Sequence, residues 1–310
     1  MNQAMRRIAL VGIGKIARDQ HIPAIAESGR FELAATASRN ASVDGVENFR
    51  DLASLLGARP DIPCVSLATP PQFRFDDVRR ALLAGRHVML EKPPGATLSE
   101  VQALADLARQ KRVSLFATWH SRHAASVEVA RAWLADKAIK RVAVVWKEDV
   151  RRWHPGQEWV WQAGGLGVFD PGINALSVLT AIYPRPLHLV SAELSFPANR
   201  DTPIAADLEF HDTDGASVSA VFDWRQEGPQ TWDVRITCAE GKMMLSKGGA
   251  RLSIDGREVA AGHDREYPGL YARFDELLAK GASDVDLRPM IHVADAFLLG
   301  RRRVVEAFEF

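Results

Sequence analysis

Ile8-Ala9-Leu10-Val11-Gly12-Ile13-Gly14-Lys15-Ile16-Ala17 decides the fold. Four apolar residues make a short strand that can be covered on both faces. Two glycines end it, and a helical pattern follows to about Ser28. Gly12 allows a tight turn, Gly14 lets a pyrophosphate approach the backbone, and the small Ala17 lets the helix pack closely on the strand. The N–H groups and dipole of such a helix hold phosphates. A lone Gly-x-Gly-x-x-Ala match is weak. Its position here, after a strand and at the start of a helix, makes it a dinucleotide fingerprint.

Further strands are predicted at 32–37, 65–68, 87–90 and 113–116, with helices between them. Gly85 closes one helix, and Thr97-Leu98-Ser99-Glu100 is a capping box that opens the next. Repeated β-α units with near-continuous apolar strands give a parallel sheet, a Rossmann domain over residues 1–122. After about Arg122 the pattern changes to an irregular, tryptophan-rich stretch and then to period-two alternation at 187–194, 206–210, 218–224, 232–238, 243–246 and 251–254. Helical segments at 271–279 and 290–299 follow. Residues 123–310 therefore read as an α/β domain with a large, mainly antiparallel open sheet. The 310 residues agree with two domains.

Lysine plus arginine and aspartate plus glutamate number 39 each, so no net field favours nucleic acid or an acidic membrane. Arg301-Arg302-Arg303 reads as a solvated helix end. Cys64 and Cys238 have neither metal-type nor redox-type spacing and are expected as small core residues. Histidines and acids do not fall at zinc-type spacing, so no metal site is expected. Met1 to Arg7 is short and polar, without a secretory apolar region, and no stretch is long enough to span a membrane. A cytoplasmic location is the expectation.

The end of the second strand discriminates between dinucleotides. Ser38-Arg39-Asn40 stands where an NAD-preferring site carries a carboxylate for the ribose hydroxyl. A hydroxyl and a guanidinium suit a 2′-phosphate, so NADP is expected to be preferred, with NAD also used. Glu91-Lys92-Pro93 ends the strand 87–90 and places a lysine at the sheet edge where ligands bind in open α/β sheets. Pro93 and Pro94 fix the exit path. Asp170-Pro171-Gly172-Ile173-Asn174, after the flexible-looking Gly164-Gly165-Leu166-Gly167, suggests a helix with Asp170 as N-cap and Asn174 one turn along. Trp146, Trp153, Trp159 and Trp161 cluster with Glu148, Arg151, Arg152 and His154. Indole faces bury the C–H side of a sugar while polar groups take its hydroxyls, and Trp232 could contribute from the sheet.

These motifs, in this order and over essentially the whole chain, resemble the Gfo/Idh/MocA oxidoreductase family. Within it, the runs 12–21, 91–97 and 146–174 are similar to bacterial enzymes that oxidise L-arabinose or D-galactose at C1. The resemblance implies oxidation of an aldopyranose to its lactone with reduction of NAD(P). It implies that Lys92, Asp170 and Asn174 surround the reacting carbon and that Glu148 and His154 bind hydroxyls. His120, Trp153 and Trp232 would wall the pocket. Gly12, Gly14, Lys15, Ile16, Ser38, Arg39, Thr69, Glu91 and Lys92 would hold the coenzyme. Many family members carry histidine as an acid–base group where this chain has Asn174, so the base must be another residue. Either Lys92 or Asp170 would take the proton. A non-catalytic NADP-binding sensor, and a dehydrogenase for another sugar or carbonyl compound, are the alternatives. A monomer and a homodimer are both compatible.

Overall fold

Strand β1 (Arg6–Val11) shows why the first sheet needs continuous apolar sequence. In the computed structural model, which describes residues 5–309, Ala9 and Val11 enter one core cluster while Ile8 and Leu10 enter clusters on the other side. Successive side chains point to opposite faces, so a strand covered on both faces has no polar side. Strands β2 (Phe31–Ala37), β3 (Glu47–Phe49), β4 (Cys64–Leu67), β5 (His87–Leu90) and β6 (Leu115–Ala117) complete a parallel sheet of order β3-β2-β1-β4-β5-β6. The order turns back beside β1, which makes the C-terminal edge of β1 and β4 the switch point where ligands bind. Met1 to Ala4, part of the N-terminal segment read above, lie outside the described residues.

Strands β7 (Ile139–Lys147), β8 (Leu187–Pro197), β9 (Ala205–Asp212), β10 (Ser217–Asp223), β11 (Thr231–Cys238), β12 (Gly241–Ser246), β13 (Arg251–Ile254), β14 (Arg257–Ala261) and β15 (Arg301–Val305) form the second sheet. Its order is β14-β13-β12-β11-β7-β10-β9-β8-β15, antiparallel except for the β7–β10 and β8–β15 pairs. Helix Phe169–Ile182 packs on it so closely that a Cβ on Gly172 would meet the Phe222 ring at 2.7 Å. The fold class is as the sequence predicts: a Rossmann-type parallel sheet and a mainly antiparallel sheet.

Several local expectations are corrected. The chain divides into two compact units, and Glu266–Asp286 joins the part up to His120 rather than the C-terminal part. Tyr267, Leu270, Tyr271, Phe274 and Leu277 lie on one face of helix Glu266–Lys280 and fill the core against Ile8, Phe31 and Met89. Chain order conceals that return. Arg301-Arg302-Arg303 is part of β15, whose register on β8 is set by backbone hydrogen bonds, and not a helix end. Asp170 lies inside the first turn of its helix, with Val168 at the N-cap position. The 151–167 stretch contains helical turns at Val150–Trp153 and Glu158–Trp161. Gly165 and Gly167 are buried close-contact positions rather than flexible ones, since a Cβ on either would lie 2.4 Å from a backbone oxygen.

Cys64 and Cys238 are buried free thiols, and burial pushes the Cys64 thiol up to about 12. No helix among the described residues is long and apolar enough to cross a membrane.

The capping box is formed: Thr97 accepts from the Glu100 N–H, and Glu100 accepts from the N–H groups of Ala96 and Thr97. It starts helix Leu98–Lys111 directly after the Lys92 turn. Thr97→Ala should lower the stability of the protein by about 1 kcal/mol. Urea denaturation should show a lower midpoint with an unchanged slope.

Candidate active site

The turn after β1 is shaped by two glycines with different constraints. Gly12 has φ +86°, and a Cβ there would meet Thr69 Cγ2 at 2.9 Å, so the β1 and β4 ends approach closely only with glycine. A Cβ on Gly14 would project into open space. The hydroxyl of Thr69 is buried with no hydrogen-bond partner. A helix follows, with a π-helical turn at Ala17–His21 that continues into Ile22–Ser28. Open backbone at Gly14, a helix N-terminus and an unsatisfied hydroxyl fit a dinucleotide pyrophosphate. Lys15 is exposed and paired with Asp19, and Ile16 is partly exposed. Ser38 donates its N–H to Phe49 O at 2.9 Å. The adjacent Arg39 is exposed, and its guanidinium has no hydrogen bond or ion pair among the described residues.

Lys92 is half-buried at the end of β5, and two buried charges hold its turn. Arg74, which belongs to no motif in the sequence, is 2% exposed. Its guanidinium donates to the carbonyls of Thr69, Glu91 and, at 2.6 Å, Pro93. Burial lowers the Arg74 guanidinium to about 10. Glu91, expected to line the coenzyme, instead turns its carboxylate inward. It accepts from the Lys92 N–H at 2.6 Å and from the Tyr267 hydroxyl, and His21 Nε2 lies 3.3 Å from it without hydrogen-bond alignment. Burial works to raise this carboxyl, but His21, with His120 and Tyr267, holds it at about 2. His21 Nδ1 meets the Tyr271 hydroxyl at 2.8 Å. His120 is stacked on Tyr267 with ring centroids 5.4 Å apart and is bonded to Glu266. Burial opposes its charge, yet Glu266 and Glu91 leave its imidazole raised.

In the second unit, Glu148 follows β7 and is 7% exposed. Its two oxygens accept from the indole N–H groups of Trp224 at 3.3 Å and Trp232 at 3.0 Å. Burial raises the Glu148 carboxyl, and the charge of Asp170 adds to this, while His154 and the two indoles oppose it. Trp153, 37% exposed, sits 5.7 Å from the Trp232 ring, and Trp232 in turn lies against Trp146. Trp146 and Trp161 are buried core residues, so the tryptophan-rich stretch supplies both core and site wall.

His154 Nε2 is 3.1 Å from Asp170 Oδ2, and its ring meets Trp224 edge-on at 5.2 Å. Asp170 is buried in the first turn of helix Phe169–Ile182, and Asn174 is half-buried one turn along. The structure thus gathers Glu148, Trp153, His154, Asp170 and Trp232, and adds Trp224, which in the sequence is only the end of the 218–224 alternation. Its signal was its place beside β10, at the same end of the sheet as Glu148 next to β7.

The Gfo/Idh/MocA profile, an oxidoreductase family with an NAD-binding Rossmann fold, matches residues 6–118. Galactose 1-dehydrogenase of Pseudomonas fluorescens is 45% identical over 302 residues, which is 97% of this chain and 98% of that protein. The crystal structure of D-galactose-1-dehydrogenase from Rhizobium etli is 57% identical, with a TM-score of 0.96 over 100% of this chain and 99% of that one. A 3-ketoreductase from Actinomadura kijaniata, solved with NADP and TDP-benzene, shares the fold at a TM-score of 0.81 and 20% identity, covering 97% of this chain and 100% of its own. With near-complete coverage at this identity, the chain belongs to the Gfo/Idh/MocA oxidoreductase family.

Proposed function

We propose that this protein oxidises an aldopyranose at C1 to the aldonolactone, with D-galactose and L-arabinose as substrates and NADP preferred over NAD. The observation that carries the reading is the setting of Glu148, His154 and Asp170 beside the indoles of Trp153 and Trp232. A sugar presents an apolar C–H face and a rim of hydroxyls, and this wall offers an aromatic face and three polar groups. The two relatives named as galactose 1-dehydrogenases support the same substrate class. D-galactose and L-arabinose share configuration from C1 to C4 and differ at C5. Discrimination between them rests on room at one carbon, which limits its energy to a modest hydrophobic contact.

The coenzyme, when bound, supplies the nicotinamide that receives hydride from C1. Gly12, Gly14, Lys15, Ile16 and Thr69 would hold its phosphates, and Ser38 and Arg39 its ribose end. Lys92 positions the C1 hydroxyl, Asp170 takes its proton, and Asn174 offers a fixed hydrogen bond without titrating. Glu148 takes a further hydroxyl, His154 stands against Asp170, and His120 lines the lysine side. Glu91 and Arg74 hold the Lys92 turn.

Initial rates with both sugars and both coenzymes, followed at the reduced-nicotinamide band, test the substrate class. Turnover with at least one of the two aldoses is expected. Tight NADPH binding with no turnover on any aldose would favour a coenzyme sensor instead. Lys92→Met should cut turnover by about a hundred- to ten-thousand-fold while leaving NADPH binding measurable by fluorescence. Retained turnover would remove Lys92 from the reaction. Arg39→Asp should raise KM for NADP about tenfold or more, the scale of one lost charge-assisted hydrogen bond, with little effect on KM for NAD. Equal effects on both coenzymes would refute the preference.

A further inference from the structure

Gln157 determines which nitrogen of His154 carries a proton. Its side-chain oxygen faces two groups, Trp159 Nε1 at 3.2 Å and His154 Nδ1 at 3.3 Å. An indole nitrogen only donates, so the amide oxygen, and not its NH2, must lie on that side. The same oxygen can then only accept from His154, which places a hydrogen on Nδ1. In a neutral imidazole, Nε2 is left with a lone pair, and Asp170 Oδ2 lies 3.1 Å from it. An ionised carboxylate is also purely an acceptor. Two acceptors in contact repel unless one proton lies between them.

We infer that His154 and Asp170 act as one proton-holding pair, and that the pair without its shared proton is the acceptor for the C1 hydroxyl. This rests on the proposed aldose oxidation. In the step, the C1 hydroxyl gives its proton to Asp170, which shares it with His154 Nε2. The C1–H bond breaks with its electrons leaving as hydride, and C1 and its oxygen form the lactone carbonyl. The sugar is oxidised and the nicotinamide reduced, and the pair later returns its proton to water. Gln157 is a positioning residue in this scheme, His154 is half of the acceptor, and neither needs Lys92 to lose a proton.

The charged groups around the pair are compatible with it. Glu148, from the end of β7, is the other acid coupled to both members and is held by two indole donors. Arg151, on the helical turn before His154, is engaged by Asp149 and Glu227, and Arg152 lies over the Trp153 ring. Trp224 faces the imidazole with its ring.

Long-range 1H–15N spectra of full-length protein labelled at histidine nitrogen, with His154 assigned by its loss in His154→Gln, read the proton directly and need no activity. Expected are a proton on Nδ1 at every pH, titration at Nε2, and a proton affinity of Nε2 about tenfold or more lower in Asp170→Asn. A neutral ring with its proton on Nε2 would overturn the inference in the wild-type protein alone. The kinetic arm compares kcat/KM against pH for wild-type and His154→Gln, in which an amide can still donate to Asp170. The limb of the wild-type profile should match the Nε2 titration and move in His154→Gln. An unmoved limb would remove the pair as acceptor. If wild-type protein oxidises no aldose, the functional reading fails while the spectra still decide whether the pair shares a proton.

Discussion

A charge buried without partners is too costly to keep, and at Glu91 that constraint organises the whole edge of the first sheet. The carboxylate is fully enclosed, so it must be met from several directions at once: the Lys92 N–H, Tyr267, and His21. Arg74 does the same from the other side, using its donors on the carbonyls of Thr69, Glu91 and Pro93. Two buried charges therefore clamp one turn. The lysine between them is the residue whose placement all of these contacts determine.

The same constraint explains why helix Glu266–Lys280 belongs to the first unit. Tyr267 and Tyr271 are needed to satisfy Glu91 and His21, and both are buried aromatics that also build the core with Phe31 and Phe274. One helix face thus supplies packing and polar satisfaction together. Burial raises both phenols well beyond the ordinary tyrosine range, with Glu91 adding to it, so they stay protonated donors whenever the fold is intact.

What could be read from the sequence follows from range of interaction. The fingerprint, the capping box and the alternating strands are local patterns, and each is found in the fold at its expected place. The strand β15 and the helix beginning at Glu266 are fixed by partners more than a hundred residues away, and their local sequence carries no sign of them. Arg74 and Gln157 were illegible for a related reason. A buried arginine looks like a surface arginine until its carbonyl partners are assembled around it. Gln157 has a role only because Trp159 and His154 both converge on one oxygen. Asp170 shows an intermediate case: its helix was legible, but its position in the first turn instead of at the cap depended on how the preceding glycines pack.

Being inside the first turn matters for the chemistry. A carboxylate there lies in the positive end of the helix field, which favours its charged form. In the proposed mechanism, a proton that Asp170 takes from a hydroxyl is then drawn toward the imidazole of His154. Asn174, one turn further along, adds a hydrogen-bonding group without adding a charge. A histidine at that place would bring a fourth titratable group into a cluster that already contains Glu148, Asp170 and His154. In the proposed mechanism the neutral amide leaves the His154–Asp170 pair as the one proton acceptor, so asparagine at Asn174 and histidine at His154 belong to the same arrangement.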